Sequence, residues 1–250
     1  MRLLFSISYD GKAYAGWQRQ TNAITVQEVI EQALYTITRL TISITGCGRT
    51  DAGVHAAAYY FHCDMSAEQV ELDNMVYKLN RVLPADIVVH DVTDVNNEFS
   101  ARYSAVKRSY EYFIHTDHNA FIREYSYYYP QLKQISTERS ERFCQFIRAQ
   151  KDFVPLCKSN SGVKHYRCTI YDVRVVELDG GRYKFCIQAN RFLRGMIRLM
   201  VGAMLNYGRE KLTMEQLVTA FEEQTLLPLS WSVPGHGLFL SEVLYEDLTI

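Results

Sequence analysis

Two strand-like stretches, residues 165–177 and 182–189, stand four residues apart. So short a gap closes by a tight turn and leaves the strands antiparallel, because a parallel pair needs a crossover of about a dozen residues or more. Other strand-like stretches are also joined by short turns, with helices interspersed rather than strictly alternating with strands. The pattern predicts an α+β fold, a largely antiparallel mixed sheet with helices on one face, and not a doubly wound parallel sheet.

Along the chain, residues 3–9 alternate as a strand and Asp10-Gly11-Lys12 turns it. Thr25-Val-Gln-Glu28 has the form of a capping box. The helix it opens puts Val26, Val29, Ile30, Ala33, Leu34 and Ile37 on one face. A strand near 42–46, a glycine-rich loop and a strand near 55–62 follow. A helix over 72–83, apolar at Met75, Val76, Leu79, Val82 and Leu83, stops at Pro84. Ile87-Val-Val and Tyr110-Glu-Tyr-Phe-Ile read as strands. Beyond them come a helix over 137–149, the two long strands, helices over 192–206 and 214–224, and a closing strand at Leu238-Phe-Leu. The expected organisation is two halves, 1–105 and 106–250, joined without a flexible linker and flanking a cleft, together one catalytic unit.

The formal net charge of −1 conceals a segregation. Residues 60–98 carry eight acids and two bases, residues 199–250 seven acids and two bases, and residues 139–198 thirteen bases and five acids. Eighteen of the 27 basic residues are arginine, the side chain suited to holding phosphate or carboxylate in a rigid fork. With 18 tyrosines, this composition leans toward a nucleic-acid partner. No apolar run nears the ~18 residues of a membrane span. The first residues alternate like a strand, without a signal-peptide pattern, so a cytoplasmic protein is expected. The six cysteines include no Cys-x-x-Cys pair and read as reduced, mostly buried thiols, with neither a disulfide framework nor a metal site.

Four stretches could carry chemistry. GCGRTDAGVHA, residues 46–56, is neither a Walker loop nor a dinucleotide fingerprint, since Asp51 stands where the last glycine of G-x-G-x-x-G belongs. A carboxylate at the centre of a phosphate cradle repels phosphate. The loop instead exposes Asp51, with Arg49 placed to keep it ionised and oriented; the alternative is a tight turn in which Asp51 only bonds backbone. In YDGKAYAGWQRQ, residues 9–20, Tyr14, Trp17, Gln18 and Arg19 either stack on bases and bind phosphate or form a loop that packs Trp17 onto the core. In FSARYSAVKRSYEYFI, residues 99–114, Arg108, Tyr110 and Tyr112 share a strand face, with Arg102 and Lys107 nearby; an ordinary mixed core-and-solvent strand is the alternative. In NRFLRGMIRLMVG, residues 190–202, Arg191, Arg194 and Arg198 recur at helical spacing as a basic stripe. Such a stripe suits an anion near a helix N-terminus or is simply solvated. His55, His62, His165 and His236 form no local metal pattern and read as structural.

Taken in order, these stretches, with TVQEVIEQAL, LNRVLPADI and PGHGLFLSEVLY, closely resemble blocks of the tRNA pseudouridine synthase A family, nearly end to end. The resemblance implies a pseudouridine synthase fold with two related halves around a basic central cleft. It also implies a homodimer without cofactor or metal, which isomerises uridine to pseudouridine at positions 38, 39 and 40 of the tRNA anticodon stem-loop. It places the catalytic carboxylate on Asp51, the arginine that flips or holds the nucleotide on Arg49, the active-site tyrosine on Tyr110, and the basic partner of the aspartate on Arg198. Arg49, Tyr14, Trp17, Gln18, Arg19, Arg108, Arg191 and Arg194 are the expected substrate-binding residues. Three positions depart from the family pattern: Leu199 replaces a frequent Asn, Lys151 replaces the His of His-Asp-Phe, and Cys47 occupies a small-residue slot.

That chemistry fits these residue types. Moving a uracil from its N1 to its C5 attachment involves no redox or phosphoryl transfer, but a stacked base must first leave the helix. One ionised carboxylate then attacks C1′, attacks C6, or promotes elimination at C2′. Burial alone would neutralise it, so a permanent cation is needed, and arginine keeps its charge when buried. Two other functions fit less well. A non-catalytic RNA-binding protein has no use for Asp51 in a basic cleft, and a glycoside or nucleoside hydrolase normally needs a second carboxylate.

Overall fold

The computed structural model describes residues 1–66, 72–158 and 165–246. Lys164 of the basic run lies outside them. In chain order the elements are β1 (Arg2–Tyr9), α1 (Val26–Thr38), β2 (Thr45–Gly46), β3 (His55–Asp64), α2 (Leu72–Val82), β4 (Ile87–Val95), β5 (Ala105–His115), β6 (Tyr127–Tyr128), α3 (Thr137–Ala149), β7 (Ile170–Leu178), β8 (Arg182–Ala189), α4 (Met196–Gly208), α5 (Met214–Glu222) and β9 (Leu238–Tyr245). The class is α+β, with mostly antiparallel strand pairing. The chain divides into two compact units, Met1–Val106 with the segment from Phe239 onward, and Lys107–Leu238.

In the first unit β1 runs between β3 and β4, antiparallel to both. A strand flanked on both sides needs apolar residues, and Leu3, Phe5 and Ile7 are fully buried. Phe5 lies opposite Phe61 in register, their rings stacked 4.7 Å apart. The closing strand β9 groups here and not with the half before it, because it pairs in parallel with the start of β3 through His55 and Phe239. Helix α1 begins where expected, with the Thr25 side chain accepting from the Glu28 amide. Its buried face holds Val26, Ile30, Ala33 and Leu34, but also Gln27. The Asn80 side chain of α2 exchanges two 2.8 Å hydrogen bonds with the backbone of Val89 on β4. His62 accepts the Ala101 N–H on Nδ1 at 3.0 Å, and burial holds its pKa below the usual value, so it stays neutral.

In the second unit β8 lies between β5 and β7, antiparallel to both, and Leu178 pairs with Arg182 across a turn at Asp179–Gly181. The tight turn expected between the two long strands is therefore present. β7 starts at Ile170 and not at 165, because the preceding residues are engaged elsewhere. Arg167 bridges Asp152, and the Cys168 amide bonds the Lys151 carbonyl. Helix α3 spans the expected residues under a Ser136 cap, and α5 starts on a complete capping box of Thr213 and Gln216.

Helix α4 departs most from expectation. It starts at Met196, not near 192, because Gly195 has φ 70°, a left-handed conformation that ends right-handed helix at that residue. Arg191 and Arg194 thus precede the helix, and only Arg198 lies on it. The expected basic stripe is replaced by a helix buried from Met196 to Tyr207 except at the half-exposed Arg198. All six cysteines are buried thiols, as expected. No helix among the described residues is long and apolar enough to cross a membrane.

Candidate active site

The loop carrying Arg49 and Asp51 runs between β2 and β3, and the aromatic loop after β1 supports it. Trp17 N–H donates to the Thr50 carbonyl at 3.3 Å, and Gly53 N–H to the Tyr14 carbonyl at 3.2 Å. The hydroxyls of Tyr9 and Thr50 meet at 2.9 Å, and Tyr59 Oη donates to the Gly48 carbonyl. Gly16 packs closely against the loop backbone. It sits at φ 95°, and a β-carbon there would lie 2.3 Å from the Thr50 carbonyl oxygen. His55 closes the far end, its Nδ1 3.1 Å from the Gly11 amide and 2.9 Å from Asp10 Oδ1, with its ring stacked on Phe239 at 4.5 Å. A half-buried Asp51 thus projects from a backbone fixed on several sides.

These contacts redefine two of the expected substrate-binding residues. Trp17 is 1% exposed and stacks on Tyr59 with centroids 4.1 Å apart; it is a core ring, with no face for a base. Tyr14 is also buried and donates its hydroxyl to Asp86 at 2.7 Å. Burial, followed by the Asp86 carboxylate, pushes its pKa well up, so it remains a neutral donor. The aromatic spacing of residues 9–20 serves the scaffold beneath the loop. Tyr14→Phe should therefore lower stability by about 1.5–3 kcal/mol, the usual contribution of a hydrogen bond to a charged group. It should leave tRNA affinity within about twofold, as a thermal melt and a filter-binding titration would read; a selective loss of affinity would return Tyr14 to the RNA contact.

Arg49 is exposed, and its Nε donates to Gln18 Oε1 at 3.2 Å. Gln18 in turn donates through Nε2 to Gln27 Oε1 at 2.7 Å. Arg19 is held against α1, with Nη1 3.0 Å from Glu31 and Nη2 3.5 Å from Glu28. Of the four residues expected to bind substrate in this loop, two are core and two are tied by hydrogen bonds to Arg49 or α1.

In the second unit Tyr110 lies on β5, 8% exposed, with the Phe192 ring edge-on at 5.2 Å. Arg198 Nε donates to the Val233 carbonyl at 2.6 Å, and the Val233 amide returns a 3.2 Å bond to the Arg198 carbonyl. The segment before β9 thereby fixes the first bend of the guanidinium. The neighbouring Pro234 carbonyl accepts from the Tyr112 hydroxyl at 2.9 Å. Arg108 donates to the Asn190 carbonyl at 3.0 Å, Arg191 lies 3.2 Å from His165 Nε2, and Arg194 is exposed. Sequence reasoning missed Val233 and Gln27. A backbone carbonyl carries no side-chain signal. Gln27, however, falls on the 27–30–34 apolar stripe of α1, where a polar residue must find partners. Among the described residues, no group of three or more His, Cys, Asp or Glu side chains could hold a metal ion.

The chain is matched by known proteins over most of its length. A family described as tRNA pseudouridine synthase matches residues 6–104 and 150–246. A protein of Parabacteroides distasonis named tRNA pseudouridine synthase A is 37% identical over 98% of this chain and 96% of its own length. Relatives of the same name from Bacteroides fragilis and Porphyromonas gingivalis are 36% and 32% identical, each over 98% of this chain and 97% and 98% of their own. A chain of the solved Cbf5–Nop10–Gar1 complex overlaps with a TM-score of 0.38 at 12% identity, over 97% of this chain and 50% of that one. The chain belongs to the tRNA pseudouridine synthase family, whose members are isomerases.

Proposed function

We propose that this enzyme converts uridine to pseudouridine at positions 38, 39 and 40 of the tRNA anticodon stem-loop, acting as a homodimer, with Asp51 as its catalytic carboxylate. The observation that carries the reading is the bracing of the Arg49–Asp51 loop by Gly16, Trp17, Tyr9 and Tyr59. A scaffold built to immobilise one carboxylate suits chemistry that depends on its position, because rate falls steeply with misplacement of a reacting group. The site and the dimer rest on the motif resemblance.

The roles follow from the reaction. The N1–C1′ bond breaks, the uracil turns, and C5 bonds to C1′; C5 gives up its hydrogen and N1 gains a proton, so mass is unchanged. Arg49, exposed at the loop tip, holds the flipped nucleotide and offsets part of the unstacking cost. Asp51 acts on the nucleotide from the braced backbone. Tyr110 offers a ring to the uracil and a hydroxyl for proton transfer. Arg198 supplies a permanent cation for the carboxylate, its guanidinium oriented through Val233. Arg108, Arg191 and Arg194 add positive charge toward phosphate.

The test is direct. Unmodified tRNA is incubated with the purified protein, treated with a reagent that adds selectively to pseudouridine, and read by primer extension. Stops are expected at positions 38–40 of substrates with uridine there. Stops confined to another arm of the tRNA would refute the assignment of position while leaving the isomerase class intact.

A further inference from the structure

Arg49 is oriented by a chain of side-chain amides whose direction is set from within the fold. Gln27 uses all of its usual capacity. Its Nε2 donates to Glu31 Oε1 at 3.0 Å and to the Ile44 carbonyl at 3.3 Å, and its Oε1 accepts from Gln18 Nε2 at 2.7 Å and from the Arg19 amide at 3.1 Å. A carboxylate and a backbone carbonyl can only accept, and a backbone amide can only donate. Gln27 must therefore turn its amide nitrogen toward Glu31 and Ile44 and its oxygen toward Gln18. Gln18 must then offer its nitrogen to Gln27, which leaves its oxygen for Arg49 Nε, 3.2 Å away. The orientation of both amides follows from partners of fixed polarity, with no choice of amide flip left open. Glu31 is fixed in turn, its Oε1 accepting the Ile44 amide at 3.3 Å and its Oε2 facing Arg19 at 3.0 Å.

We infer that Gln18 and Gln27 are positioning residues for Arg49, a relay from the buried face of α1 that engages Nε and presents the two terminal nitrogens of the fork to RNA. The inference rests on the reading of Arg49 as the side chain that holds the flipped nucleotide. It gives Gln18 a different role from direct substrate contact. A long arginine at a loop tip samples many rotamers, and ordering it during the reaction costs conformational entropy. An acceptor at Nε removes much of that freedom beforehand. It also explains a glutamine at a position on α1 that is only 8% exposed, where the helix stripe calls for an apolar residue.

Gln18→Leu, Arg49→Ala and the double variant test the relay, with kcat and KM measured on tRNA transcripts and folding checked by thermal melts. Arg49→Ala should lower kcat about 30-fold and Gln18→Leu about 10-fold, with KM within about twofold for the latter. The double variant should be no worse than Arg49→Ala alone, since the relay acts only through Arg49. Gln27→Leu, assayed below its melting temperature, should mimic Gln18→Leu and be equally silent on the Arg49→Ala background. If Arg49→Ala is impaired while Gln18→Leu matches wild type, the relay is wrong and the Arg49 reading stands. Additive losses in the double variant would show that Gln18 touches RNA on its own and would also overturn the relay. Wild-type turnover by Arg49→Ala would remove the Arg49 reading, and the relay with it.

Discussion

Asp51→Asn should reduce kcat by at least about three orders of magnitude and leave tRNA affinity within about threefold of wild type. Asparagine keeps the size and some of the hydrogen bonding of aspartate but can neither attack carbon nor take a proton. The backbone bonds that brace the loop, through the carbonyls of Gly48, Thr50 and Asp51, the Thr50 hydroxyl and the Gly53 amide, are available to asparagine as to aspartate. Affinity should hold, or tighten slightly, because a negative charge facing a polyanion is being removed. Asp51→Ala should behave alike, which separates loss of chemistry from altered hydrogen bonding. Single-turnover formation of pseudouridine, with binding measured on the same tRNA, gives both numbers. Turnover within tenfold of wild type in either variant would remove Asp51 from the chemistry.

What was legible in the sequence was mostly local. The turn at Asp179–Gly181, the bounds of α3 and the cap of α1 are set by residues a few positions apart, and periodicity and turn chemistry find them. The failures arise where distant segments decide. The spacing of Arg191, Arg194 and Arg198 fits a helix, yet Gly195 takes a left-handed turn between Arg194 and Arg198, and Arg191 and Arg198 are held separately, by His165 and by Val233. Trp17 looks like a base-stacking ring because it sits among polar neighbours in a glycine-containing loop. Its burial depends on Tyr59, with which it shares no sequence proximity. That the loop is no phosphate cradle could be reasoned from its own residues, because a carboxylate at its centre repels phosphate; Arg49 is exposed there and Asp51 half-buried. Uridine, the reaction and the roles proposed for Tyr110 and Arg198 rest on motif resemblance, since strand and helix patterns carry no chemistry of their own.

With Asp51 as the proposed catalytic carboxylate, the aromatic loop after β1 should bear on rate through the backbone beneath it, and Gly16→Ala isolates that effect. The substitution adds one methyl group at a residue that carries no functional side chain. That methyl would sit 2.3 Å from the Thr50 carbonyl oxygen and 3.1 Å from the Asp51 carbonyl carbon, at a φ of 95° that alanine rarely adopts. Left-handed backbone costs alanine roughly 1–2 kcal/mol, and the clash must be relieved by moving either residue 16 or the Thr50–Asp51 peptide. The first route strains the 3.2 Å bond from the Val26 amide to the Gly16 carbonyl at the start of α1, and both strain the 3.3 Å bond from Trp17 to Thr50. Because α1 starts on a fixed cap, residue 16 has little room to retreat, and part of the shift should fall on the Thr50–Asp51 peptide. A shift of about 1 Å in a reacting group lowers rate by roughly a hundredfold. Gly16→Ala, assayed well below its melting temperature, should thus lose about two orders of magnitude in kcat while binding tRNA nearly as well as wild type. An added Asp51→Asn should lower it little further than Asp51→Asn alone, since both act on the same group. A folded Gly16→Ala protein with wild-type kcat would mean that the aromatic loop packs against the Asp51 loop without setting the position of its carboxylate.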